Sequence, residues 1–357
     1  MSALESSVVT KVVLAAYGFS ENASVRRFGN GHINGTYLIE EQQKRIILQQ
    51  INRQIFPNTE ALISNALAIE HHLLTKQQQG EYQLQVLRQQ PSCDGDYLIG
   101  DNQDLRALQF IDGGRSIEVV ENPEQAFAAA FTFGQFAKAL SDFDASKLYS
   151  VIPNFHNLAM RFAQLEQAIA EDAVGRLAAC QPLVAECLSA KDLADELQSC
   201  TDKLPVRVCH NDTKINNMLY SDAQQAGIAA IDLDTCMPGY WLFDFGDMVR
   251  TCCSPEPEDS LRPELVVIRP EIFKALAQGY LQGLGDGITE AEKQSFVAWC
   301  KSHMCLMIGV RFLTDYLNGD CYFAVHRPHH NLQRAENQLR LYRDLLRQQS
   351  TLQAMLK

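Results

Sequence analysis

The sequence predicts an α+β fold in two unequal lobes: a small antiparallel β lobe crossed by one helix over residues 1–112, and a larger, mostly α-helical lobe over 113–357. Three observations predict it. Before Asp112 the apolar residues alternate in short runs, Asp112-Gly113-Gly114 then breaks the pattern as a hinge, and beyond it they recur at helical spacing with one β island. A chain of 357 residues is long enough for two domains, or for one domain with two lobes.

In the first lobe, Val25-Arg26-Arg27-Phe28 and Thr36-Tyr37-Leu38-Ile39 flank a loop, and Arg45-Ile46-Ile47-Leu48 reads as the next strand. Tyr82-Gln83-Leu84-Gln85-Val86 alternates with period two, and Tyr97-Leu98-Ile99 and Leu105 to Ile111 complete the predicted sheet. Asn58 caps a segment in which Leu62, Ala66, Ile69 and Leu73 recur at steps of four, three and four, which predicts a helix buried on one face and ending near Gly80. In the second lobe, Pro123 to Leu140, Phe155 to about Cys180, Pro182 to Cys200, 264–284 and 289–318 read as helices. Val206-Arg207-Val208 and Ile228-Ala229-Ala230-Ile231 form the β island, and no internal repeat is present.

Composition narrows the function. Lys and Arg number 31 against 43 Asp and Glu, a formal net charge of −12, which argues against nucleic acid as a partner. A phosphate-bearing ligand then needs positive charge supplied locally. The eleven cysteines are scattered, odd in number and without a Cys-x-x-Cys pair, so neither a disulfide framework nor a zinc knuckle is expected; adjacent Cys252 and Cys253 read as buried thiols, and the compartment as a reducing cytoplasm. The apolar patch from Val12 to Tyr17 is too short and too poorly flanked for a signal peptide, and no uncharged apolar run approaches the length that spans a bilayer, so no membrane partner is expected.

The chemistry concentrates in His210-Asn211-Asp212-Thr213-Lys214-Ile215-Asn216-Asn217, with Asp232 following fifteen residues later at the end of an apolar strand. Asp with Asn at +5 on a loop between strands, and a second Asp ending the next strand, is the layout that phosphoryl transfer from Mg²⁺-bound ATP requires. In that layout Asp212 is the base that orients the attacking hydroxyl, while Asn217 and Asp232 hold Mg²⁺ through oxygen donors. Turn formation alone explains one Asp-Asn pair, but not the ordered strand, His, Asp, Asn and strand-terminal Asp. Asp234 is left as either a second metal contact or a structural carboxylate. The Asp244-Phe245-Gly246 triplet opens a helical pattern instead of ending a strand, so Asp244 and Asp247 are expected to brace the loop or cap the helix.

A second signal is the loop Phe28-Gly29-Asn30-Gly31-His32-Ile33-Asn34-Gly35 between the first two strands. Gly29, Asn30 and Gly31 are placed to let backbone amides approach phosphate oxygens, a source of positive dipole in an acidic chain. His32 is either a surface residue or one that reaches the acceptor.

These segments resemble the aminoglycoside phosphotransferase and choline kinase superfamily of protein-kinase-like folds. The resemblance is sharpened by Ile47-Leu48-Gln49-Gln50-Ile51-Asn52 with Phe56-Pro57, Phe110-Ile111-Asp112, Ile152 to His156, Asp234-Thr235 with Met237-Pro238-Gly239, and Arg311 to Asp320. Together they are similar to the N-acetylhexosamine 1-kinase branch across nearly the whole chain. The resemblance implies ATP-dependent phosphorylation of the anomeric hydroxyl of N-acetylglucosamine or N-acetylgalactosamine. It implies Asp212 as base, Asn217 and Asp232 on Mg²⁺, and His32, Arg311 and Tyr322 on the sugar. Two alternatives remain: the same machinery acting on an aminoglycoside, choline or another alcohol, which the acidic charge permits, and a catalytically silent nucleotide-binding protein.

The silent alternative has one motive. The third strand carries no Lys to meet the α and β phosphates; Gln49 and Gln50 stand there, leaving Lys44, Arg53 or the Gln49 amide itself to contact nucleotide. Without that Lys, its usual partner Glu70 is expected in solvent. Arg311 and Asp315 stand four apart on an apolar helix, either as a simple ion pair or as part of an acceptor site with Tyr322. His326, His329 and His330 read as surface residues.

Overall fold

The computed structural model describes residues 8–29, 33–102, 104–299 and 303–356. A short helix α1 (Lys11–Ala16) precedes an antiparallel sheet of β1 (Ser24–Arg27), β2 (Gly35–Glu41), β3 (Lys44–Gln50), β4 (Gln89–Gln90) and β5 (Leu105–Gln109), in the order β1-β2-β3-β5-β4. The faces of this sheet divide by strand alternation. Leu48, Ile46, Leu105 and Ala107 pack under Val13, Leu14 and Tyr17 of the N-terminal segment, while Leu108 and Ile47 join the main core. Helix α2 (Thr59–Gln78) runs as the spacing predicts: the Asn58 side chain accepts from Ala61 N at 3.0 Å, and Ile69 and Leu73 pack against the main core.

Two predicted strands are absent. Tyr82, Leu84 and Val86 are buried alternately, yet the segment pairs with no strand; instead Gln85 N donates to Ile228 O at 2.7 Å, tying it to the second lobe. Around Ile99 only a single bridge to Leu105 forms. Glu70 is buried, not solvated, because its Oε2 accepts from Gln89 N at 2.7 Å and so caps the start of β4.

Beyond β5, β6 (Arg115–Ser116) already belongs to another sheet, β6-β8-β9, with β8 at Met218–Ser221 and β9 at Ala226–Ala230. A second pair joins β7 (Arg207–Cys209) to β10 (Met237–Gly239). The expected β island is therefore two small sheets on either side of one loop. Around them lie α3 (Pro123–Ala139), α4 (Leu158–Glu171), α5 (Leu177–Ser189), α6 (Leu193–Thr201), α7 (Trp241–Cys252), α8 (Pro270–Leu284), α9 (Glu290–Trp299), α10 (His303–Leu317) and α11 (His330–Met355). Pro182, expected to open a helix, sits inside α5, and the stretches expected at 264–284 and 289–318 resolve into α8 beginning at Pro270 and the separate α9 and α10.

Helices α3 and α8 approach until backbones touch. A Cβ on Gly279 would lie 2.5 Å from Phe127 O, and one on Gly283 2.5 Å from Phe131 O. These glycines are kept for closeness. Cys252 and Cys253 are buried thiols as expected. His330 is not at the surface: it is fully buried, with Nε2 3.3 Å from Asp259 Oδ2, whereas His326 and His329 are exposed. No single described helix is long and apolar enough to cross a membrane.

Candidate active site

Strand β7 carries the chain into the His210–Asn217 loop, and hydrogen bonds leave that loop little freedom. His210 is buried against the edges of Phe133 and Phe136, at 5.2 and 5.8 Å between centroids. Its Nδ1 accepts from Asp212 N at 3.3 Å, which leaves Nε2 to donate to Ile231 O at 3.0 Å. Burial lowers the imidazole pKa, in keeping with this neutral ring. Asp244, near the start of α7, accepts from His210 N at 3.0 Å and Asn211 N at 2.7 Å, and its own carbonyl takes the Thr213 hydroxyl at 2.7 Å. Asp244 thus braces the loop instead of facing solvent as a ligand.

The braced loop presents Asp212. Asn217 Nδ2 donates to Asp212 O at 2.8 Å and to its Oδ2 at 3.0 Å, and Lys214 Nζ lies 3.0 Å from the same Oδ2. Burial alone raises a carboxylate; here the Lys214 charge, with its hydrogen bond, outweighs burial and keeps the Asp212 pKa low. Asn217 O accepts from Ile231 N at 2.8 Å, which stitches the end of β9 to the loop and sets Asp232 beside Asn217. Asp232 is left-handed, φ 60° and ψ 57°, a conformation that Asp tolerates better than most side chains. Its carboxylate makes no hydrogen bond or ion pair among the described residues, and burial, with Asp234 and Asp212 nearby, pushes its pKa up to about 7.

A divalent cation fits this donor set. Asp232 is a carboxylate crowded by two others without a cation of its own, and Asn217, whose Nδ2 is used on Asp212, keeps its amide oxygen free of donors among the described residues. The neighbouring Asp234 is already engaged: it accepts from Asn34 Nδ2 at 2.8 Å and pairs with buried Arg106. Asp247 pairs through Oδ1 with Arg250 at 2.8 Å and leaves Oδ2 buried without a partner.

From the β lobe, Gly29 adopts φ 73°, and a Cβ there would meet nothing within 4 Å, so Gly29 itself faces open space. Asn30, Gly31 and His32 lie outside the described residues. Gln49 faces Arg106, accepting from its Nε and Nη2 at 3.0 and 2.8 Å. Neither flanking cation reaches in. Lys44 donates to Tyr17 O and Gly18 O, and Arg53 to Asn102 O.

On the other side, Arg311 and Tyr322 come together with a hydroxyl contact of 3.5 Å. The guanidinium lies 5.2–5.6 Å from the rings of Phe155, Phe323 and Tyr322, and has no carboxylate within salt-bridge distance among the described residues. Of the two readings of Arg311 and Asp315, the simple ion pair does not form. Asp315 instead accepts from the amides of Cys321, Tyr322 and Phe323 at 2.8–3.0 Å and so shapes the loop that carries Tyr322. A cavity of about 340 Å³ opens here, lined by Arg161, Arg311 and Tyr322. Two cavities of about 740 Å³ lie elsewhere; like the Arg311 cavity, they contain none of the loop residues.

A profile described as "Phosphotransferase enzyme family" matches residues 24–292, from β1 into α9. The chain belongs to this phosphotransferase family. Solved structures of similar fold include an aminoglycoside phosphotransferase from Alicyclobacillus acidocaldarius, 14% identical, with TM-score 0.55 over 96% of this chain and 97% of that one. Others are an ethanolamine kinase from Plasmodium vivax (12%, 0.54, over 91% and 84%) and a macrolide 2'-phosphotransferase from Brachybacterium faecium (13%, 0.53, over 92% and 95%). The protein-kinase-like fold is thereby established, and with it the reason this phosphotransferase sets the His210–Asn217 loop between two small sheets.

Two residues of the site, Lys214 and Arg106, have no role that the sequence alone assigns. For Lys214 a signal exists: a cation two positions after Asp212, on a loop too tight to point it elsewhere. Arg106 offers none, since only the register of β5 against β3 reveals it.

Proposed function

We propose that this phosphotransferase transfers the γ-phosphoryl group of ATP to a small-molecule hydroxyl, and that the acceptor is the anomeric hydroxyl of an N-acetylhexosamine. Asp212 accepts the hydroxyl proton as the acceptor oxygen bonds to the γ phosphorus; the bond to the bridging oxygen breaks, ADP leaves, and the sugar 1-phosphate forms. Lys214 keeps Asp212 ionised and ready for that proton. Asn217 and Asp232 would hold Mg²⁺, which when bound neutralises charge on the phosphate oxygens. The loop with Gly29, Asn30 and Gly31, together with Gln49, faces the nucleotide, and His32, Arg311 and Tyr322 face the sugar. The nucleotide-binding lobe ends near Asp112.

The observation that carries the acceptor class is the Arg311 guanidinium, set among Phe155, Tyr322 and Phe323 with no carboxylate within salt-bridge distance among the described residues. Aromatic faces suit the apolar face of a pyranose, and an unspent guanidinium suits a carbonyl or ring oxygen. The same cavity is lined by Arg161 and Arg311 and by the carboxylates Glu171 and Asp315, so its aromatic and guanidinium groups, not its net charge, favour the sugar. Measuring ADP release with N-acetylglucosamine, N-acetylgalactosamine, galactose, choline and kanamycin tests this. Turnover is expected with the two N-acetyl sugars above all others; turnover confined to kanamycin or choline would refute the acceptor class, and none with any acceptor would refute transfer to these alcohols.

A further inference from the structure

A polyphosphate gripped between the lobes needs a cation from the sheet side, and the strand that ordinarily supplies one carries Gln49. The nearby cations are spent. Lys44 and Arg53 bond to backbone carbonyls, Arg45 pairs with Asp112 at the edge of the lobe, and Lys214 holds Asp212. Arg106 is engaged as well, by Gln49 and Asp234, but it keeps one guanidinium nitrogen without a hydrogen bond among the described residues. It stands directly opposite Gln49 across the β3–β5 ladder, and strand alternation sends it to the face opposite Leu105 and Ala107, which belong to the core beneath α1. It is only 2% exposed. Gln49 Oε1 receives both Nε and Nη2, Nη2 also bonds Asp234, and Nη1 makes no hydrogen bond among the described residues.

We propose that Arg106 is the cation that binds the phosphates of the nucleotide, standing one strand over from the position where a Lys is expected. The glutamine that replaces the Lys then gains a purpose, because its carbonyl fixes the guanidinium plane, which a Lys at the same place would repel. Asp234 is the counterion that holds Arg106 while no phosphate is present. Because Asp234 lies two residues past Asp232, the guanidinium sits between the sheet and the turn that begins at Asp232, one of the two candidate metal ligands, where phosphates bridging the lobes must pass. Arg suits this role better than Lys because its fork can bond Gln49 and a phosphate oxygen at once. This inference rests on ATP being the donor.

The test compares equilibrium binding of Mg·ATP, Mg·ADP, AMP and adenosine to the full chain and three variants: Arg106→Lys, Arg106→Gln, and Arg106→Gln with Asp234→Asn. The double variant removes both charges, so no buried carboxylate is left unpaired and the fold is spared. Loss of Arg106 is expected to weaken ATP and ADP by about tenfold or more while adenosine changes by about twofold at most, with Arg106→Lys in between. Equal weakening of adenosine and ATP, or none of either, would mean that Arg106 only supports the sheet, and would overturn the proposal. If the unaltered chain binds adenosine but not ATP, the donor assignment itself fails, an outcome visible before any variant is compared.

Discussion

Asp212 is held by three residues that do different work: the Asn217 amide on its backbone carbonyl and Oδ2, the Lys214 ammonium on Oδ2, and His210 Nδ1 on its backbone amide. Replacing Asp212 with Asn keeps the size and loses the base. Turnover should fall by about 10²–10⁴-fold while nucleotide affinity stays near that of the unaltered chain, as steady-state ADP release and calorimetric titration will show. Asp315 illustrates a different kind of residue. Its carboxylate takes three successive amides from the turn before Tyr322, so Asp315→Ala should release that loop, raising the acceptor KM by about tenfold with a smaller effect on kcat. A change confined to kcat would mean that the loop does not bind the acceptor. At this scale the sequence is legible wherever partners are close in the chain: Asp212 and Asn217 lie on one tight turn, and the spacing announces them. Arg106 and Asp234 meet across 128 residues, and Glu70 finds its partner in the amide of Gln89, so neither contact leaves a trace in local pattern.

At the scale of elements, periodicity locates α2, α3 and the strands β1 to β3, because each buries one face against one layer. It fails where burial and pairing part company. Tyr82 to Val86 alternates because Tyr82, Leu84 and Val86 face the core, but its backbone meets β9 through the one bond from Gln85 N to Ile228 O and is not assigned to a strand ladder. Helix α11 escapes the pattern, since Ala335, Leu339, Tyr342 and Leu345 form a thin apolar stripe in a run rich in Arg and Gln. The α3–α8 contact makes its own prediction. Alanine ordinarily stabilises a helix over glycine by about 1 kcal/mol, yet at Gly279 the added methyl meets the Phe127 carbonyl oxygen and must force the helices apart. Gly279→Ala should cost about 1–3 kcal/mol net, read as a lower melting temperature. An unchanged or higher melting temperature would show that the helices can separate freely.

For the whole molecule, an acidic chain of net charge −12 gathers five carboxylates at one loop: Asp212 within it, Asp232 and Asp234 on the turn after β9, and Asp244 and Asp247 on α7. They are not equivalent: Asp244 is spent on amides, Asp247 on Arg250, Asp234 on Arg106, Asp212 on Lys214 and Asn217, and Asp232 alone of the five has neither a hydrogen bond nor an ion pair on its carboxylate among the described residues. In the function proposed above, that inequality is what would let an acidic protein receive a metal and a polyphosphate at one place. The two lobes meet there as well, through Asn34 and Arg106 on Asp234. Donor, acceptor and base therefore meet in a single reaction, whose product identifies all three. ³¹P NMR of a mixture of the protein, Mg·ATP and N-acetylglucosamine or N-acetylgalactosamine should show a new phosphomonoester coupled to the anomeric proton, forming in step with ADP and absent with Asp212→Asn. A phosphate coupled to any other sugar proton, or ADP formed with inorganic phosphate alone, would contradict it.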